Sequence, residues 1–200
     1  MPDTMPESGP AAPRRIGRRA FVIGAAAGSL AVLGGCSRSP IAIPATPRAA
    51  AIELVEAQRP HTGRTVRAKL TAQANTVDLG GPTARTLSYG AQLPGPLVRA
   101  NVGDQLEVTV TNGLDTPTSL HWHGLALRND MDGAAPATPD IGSGTEFTYR
   151  FSVPHSGTYW AHPHTPLDTD RGLYIPVIVD DPRERADYDA EWIVVLDDWT

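Results

Sequence analysis

The chain has 200 residues and carries 17 Lys and Arg against 22 Asp and Glu, a formal net charge of −5. That length suits one sizeable domain with extensions, not a large multidomain enzyme. The acids collect after Asp180 and form no docking stripe, which argues against a nucleic-acid partner, and the single cysteine, Cys36, excludes an intramolecular disulfide.

Arg18 and Arg19 precede Ala20 and an apolar run from Phe21 to Leu33 that is rich in Ala, Gly and Val. A basic stretch before a short, small-sided apolar segment reads as an export signal, too short to span a membrane permanently. The paired arginines resemble the twin-arginine signal of bacteria. Leu33-Gly34-Gly35-Cys36 resembles a lipobox, in which cleavage leaves the Cys at the new N-terminus carrying diacylglycerol. Such an anchor holds by burying methylenes, each contributing about 0.8 kcal/mol. Residues 1–35 are thus expected to be a signal ending at Cys36. The protein would sit in the cell envelope, lipid-anchored on the extracytoplasmic side of the membrane. An ordinary secretion signal and a stray Cys are the alternatives. Residues 36–51, rich in Pro and Ala, read as a flexible tether.

From Ile52 onward the pattern is all-β. Leu106, Val108 and Val110 alternate with Glu107, Thr109 and Thr111 before Asn112-Gly113. Phe147, Tyr149, Phe151 and Val153 alternate with Thr148, Arg150 and Ser152, and Pro154 to Gly157 then turn the chain. Leu173, Ile175, Val177 and Val179 share one face of a further strand. No apolar series keeps helical spacing for a dozen positions, and Gly and Pro, 19 of each, punctuate the runs. This predicts a Greek-key sandwich of antiparallel sheets over residues 52–182. Glu191 to Leu196 reads as one more strand without a partner, so residues 183–200 are expected to begin a truncated second domain.

Four of the six histidines form two pairs, His121-Trp122-His123 and His162-Pro163-His164. On a strand, residues two apart share a face at about 7 Å, so each pair aims two imidazoles into one space while Leu120 and Trp122 face the core. Neutral imidazole is a good ligand for copper, zinc, nickel or iron. One such pair is weak support; two pairs, each ending a predicted strand, are hard to obtain by accident. His61 and His155 read as solvated loop residues, Asp168 and Asp170 as a solvated turn, and Trp122 and Trp160 as core residues.

Leu120-His-Trp-His-Gly-Leu125 resembles the first copper motif of multicopper oxidases, and Gly157-Thr-Tyr-Trp-Ala-His-Pro-His164 resembles the second. Met131-Asp132-Gly133, Gly144 to Phe151, Pro94 to Leu97, Val102-Gly103-Asp104, Asp170 to Tyr174 and Val177 to Asp180 lie at family positions between and around them. The likeness covers roughly residues 60–200. It implies an N-terminal cupredoxin (plastocyanin-like) domain, laccase-like, with copper as cofactor. By the same resemblance His121 is a ligand of the type 2 copper, His123 and His162 are ligands of one type 3 copper, and His164 is a ligand of the other. Asp132 matches an acid that relays protons. Pro163 and Ala161 depart from the family pattern and put fine geometry in doubt without removing a ligand.

The resemblance further implies that O2 is reduced with electrons from a small-molecule or metal-ion donor. A type 1 copper, which collects those electrons, needs a thiolate, and no Cys follows Cys36. The chain is therefore expected to hold half of a shared type 2/type 3 cluster and to be inactive alone. The other half would come from missing C-terminal cupredoxin domains or a partner subunit. A copper nitrite reductase would need its own Cys motif here. A non-enzymatic copper-carrying envelope lipoprotein is the alternative; a scaffold that has lost its metals is disfavoured by the intact pairs.

Overall fold

A computed structural model describes residues 45–165, 167–185 and 187–199. Arg18, Arg19 and Cys36 lie outside the described residues. The described residues contain eight strands: β1 (Thr65–Asp78), β2 (Thr83–Tyr89), β3 (Val98–Asn101), β4 (Gln105–Asn112), β5 (His121–His123), β6 (Glu146–Ser152), β7 (Gly157–His162) and β8 (Ile175–Asp180). They form two four-stranded sheets, ordered β2-β1-β4-β6 and β3-β8-β7-β5. The expected β-sandwich is there, but its sheets are mixed rather than antiparallel. β1 runs parallel to β4, and β3 runs parallel to β8.

Alternation builds the first sheet. In β4, Leu106, Val108 and Val110 are fully buried while their neighbours are only partly so. On the neighbouring strand β6, Tyr149 and Phe151 stand opposite Val108 and Leu106, and Trp122 of the second sheet packs edge-on against both rings at 5.9 and 5.0 Å. β8 differs: Ile175 to Val179 are all buried, so this central strand is covered on both faces.

Three expectations fail at the ends of the body. The residues expected to finish the tether and start the first strand instead form a helix, α1 (Ala45–Ala57). Its Ala-rich composition gives it helix propensity without an apolar stripe, so periodicity missed it. Glu56 fastens it by accepting from the Ser152 N–H and pairing with Arg59 at 3.0 Å. The first strand begins only at Thr65. Glu191 to Leu196 is not a strand, because no described strand pairs with it. That segment is pinned by side chains instead: Arg99 bridges Asp180 and Glu191, and the Tyr174 hydroxyl donates to Asp197.

Candidate metal centre

Strand register brings the two histidine pairs together. β5 pairs antiparallel with β7, with His121 opposite His162, Trp122 opposite Ala161 and His123 opposite Trp160. Trp122 and Ala161 are fully buried, so their neighbours are turned to the outer face. The small Ala161 lies directly across from the large Trp122 ring, a packing reason for its size. His121 and His123 span β5, and His162 ends β7, but His164 lies beyond the strand. Pro163 stops the ladder, and His164 is brought round by its own N–H donating to Ser119 Oγ at 2.9 Å. Ring centroids of His121 lie 6.0, 5.6 and 4.5 Å from those of His123, His162 and His164.

The hydrogen bonds fix which nitrogens are free. His121 Nδ1 lies 2.9 Å from the Asp132 carbonyl oxygen and 3.3 Å from Asp132 Oδ2. Both are acceptors, so Nδ1 carries the proton and Nε2 presents its lone pair. His162 Nδ1 donates to the Pro163 carbonyl at 2.8 Å, which likewise frees its Nε2. That Nε2 lies 3.2 Å from His123 Nδ1. Two imidazole nitrogens bound to one ion at about 2.0–2.1 Å stand about this far apart. The donor set therefore fits a late first-row metal ion, copper included. Among the described residues no three His, Cys, Asp or Glu side chains are arranged around one ion. Burial lowers the His162 pKa, the Pro163 hydrogen bond opposes that, and the three neighbouring imidazoles add to it. Its neutral, ligating form thus persists to lower pH than in a free imidazole.

Asp132 follows a 3-10 turn (Asn129–Met131). The loop is tied at several points: the Arg150 N–H meets Met131 Sδ, Gly133 N donates to the buried Thr138 hydroxyl, and Arg128 pairs with Asp130 and with Glu53 of α1. Gly133 has φ +81°, and a Cβ there would stand 1.8 Å from the Leu120 carbonyl oxygen. Only glycine lets the loop lie on the β5 backbone and deliver Asp132 to His121. Gly133→Ala is expected to cost about 3 kcal/mol or more, measured as a lowered urea midpoint.

Several supporting residues carried no signal in the sequence. The Tyr89 hydroxyl donates to the Ser119 carbonyl, and the Leu120 N–H donates to the Tyr149 hydroxyl. Two buried tyrosines thus hold the backbone just ahead of His121. His61 and His155 are bonded rather than simply solvated. His61 reaches Glu56 O and Ser152 Oγ, each at 3.1 Å, and His155 Nδ1 lies 2.7 Å from the Tyr159 hydroxyl. Neither joins the four. Asp168 accepts from Thr165 at 2.8 Å in a turn, and Asp170 is exposed. Trp122 is a core residue as expected, whereas Trp160 is 38% exposed.

The chain is similar to several known proteins. Residues 71–184 match the family model described as multicopper oxidase. The chain is 60% identical over 187 residues to the multicopper oxidase MmcO of Mycobacterium tuberculosis, covering 94% of this chain and 37% of that protein. It is 34% identical over 189 residues to a copper resistance protein A homolog of Pseudomonas syringae pv. tomato, covering 94% and 30%. Among solved structures, the laccase from Botrytis aclada superposes with a TM-score of 0.59 at 33% identity, over 66% of this chain and 25% of that one. The chain spans about a third of the length of these curated relatives.

Proposed function

The chain belongs to the multicopper oxidase family, and we propose that its domain supplies four histidines to a cluster of type 2 and type 3 coppers. Copper is the cofactor. The observation that carries the reading is the β5/β7 register, which sets His121 opposite His162 and places His123 Nδ1 3.2 Å from His162 Nε2. In this reading His121 serves the type 2 copper, His123 and His162 serve one type 3 copper, and His164 serves the other. Bound there, copper supplies the one-electron chemistry by which O2 is reduced to water.

The protein's own residues do the rest. The Asp132 carbonyl and the Pro163 carbonyl hold His121 and His162 in the tautomer that turns Nε2 toward the site. The Asp132 carboxylate, 31% exposed and touching His121, is placed to pass protons between solvent and the site. The remaining ligands and the type 1 thiolate come, in this proposal, from C-terminal cupredoxin domains or a partner subunit. The donor is a small molecule or metal ion. Arg18 and Arg19 direct twin-arginine export, and Cys36 carries the lipid that holds the protein on the outer side of the membrane.

Oxygen uptake by the enzyme completed with a C-terminal segment tests the reading. Asp132→Asn is expected to slow turnover about 100-fold while leaving copper content largely intact. Full activity in that variant would remove the proton-relay role, and loss of copper would make Asp132 a support of the ligands instead.

A further inference from the structure

We infer that Trp160 is a positioning residue that sets the planes of His123 and His162, an inference that rests on the copper-site reading. Each of these histidines needs something to hold its ring. Ligand histidines ordinarily obtain this by donating their second N–H to a carbonyl or carboxylate. His121 has Asp132 and His162 has Pro163. His123 has no such acceptor: its one hydrogen-bond partner among the described residues is His162 itself, at 3.2 Å. What His123 has instead is an aromatic face.

Trp160 stands opposite His123 in the β5/β7 ladder and two residues before His162 on β7. Cross-strand partners and residues two apart both share a face, so the indole reaches both rings. It stacks on His162 with centroids 4.1 Å apart and planes 27° apart, and on His123 at 5.1 Å and 30°. The two rings are thus laid against one flat platform, with their facing nitrogens turned toward each other. Core packing does not explain the residue, since more than a third of its surface is exposed. The arrangement also favours the charged state of the site, because an imidazole that has given its lone pair to a cation carries positive charge over an electron-rich indole face.

The test uses the 200-residue chain as wild type, Trp160→Leu and Trp160→Phe, with Cu(II) as probe. In the metal-free chain, indole shielding should move the His123 and His162 imidazole proton resonances upfield. Trp160→Leu should abolish that displacement and weaken copper binding about tenfold, while Trp160→Phe, which keeps a flat ring, should stay within about threefold of wild type. Wild-type affinity in Trp160→Leu overturns the inference, as does a folded Trp160→Phe that binds as weakly as the Leu variant. Should Trp160→Leu fail to fold by circular dichroism, Trp160→Phe decides alone on the same two readouts. A wild-type chain that takes up no copper contradicts the copper-site reading, a different failure. The resonance positions then still decide whether Trp160 sets the two rings.

Discussion

His162→Ala is expected to lower the affinity of this chain for Cu(II) by at least about 100-fold, while His61→Ala leaves it within about twofold of wild type. Three contacts converge on His162. Its Nε2 faces His123 Nδ1 at 3.2 Å, its Nδ1 is held by the Pro163 carbonyl, and its ring lies on Trp160 at 4.1 Å. Removing it deletes one ligand and leaves His123 without a facing nitrogen. His61 also sits in a hydrogen-bond network, but between Glu56 and Ser152, bonded to none of the four. Calorimetric titration with copper checks both variants. Equal losses in the two would mean that copper is held by scattered surface imidazoles and that the β5/β7 register does not matter.

The chain alone, loaded with excess copper, is expected to show neither blue colour nor oxidation of a phenolic dye. A blue centre requires a cysteine thiolate beside two histidines. Cys36 is the one cysteine, and it lies upstream of the whole sandwich. The four histidines offer only imidazole nitrogen, and Asp132 adds only carboxylate oxygen, so no residue of the body can form the site that collects electrons. Visible absorption and an oxygen electrode read the outcome. Sustained dye oxidation by the chain alone, at rates scaling with protein, would overturn this account of electron entry.

The site was more legible in the sequence than its supports. The two histidine pairs announced themselves by spacing, and strand alternation in Leu106–Val110 and Phe147–Val153 placed the core correctly. The placement of His164 was not legible by that logic. Period-two reasoning assumes a continuous strand, and Pro163 ends β7 one residue earlier. Helix α1 escaped because its formation rests on alanine propensity and on long-range contacts of Glu56 and Arg128, neither of which leaves a periodic trace. The parallel pairing of β1 with β4 depends on crossovers that alternation does not encode. Trp160 looked like core because tryptophan usually is, but its partners are imidazoles rather than aliphatic side chains.

Copper affinity is expected to depend on the presence of the complementary half. The four histidines here are proposed to supply one, two and one ligands to three separate coppers, so none is fully enclosed by this chain. Titrated alone, the chain should bind copper weakly. Titrated with a C-terminal multicopper oxidase segment carrying the remaining ligands, it should bind at least about 100-fold more tightly and hold three coppers in all at the shared cluster. Tight, saturable binding by the chain alone, unchanged by the added segment, would contradict the half-cluster account and favour a copper carrier.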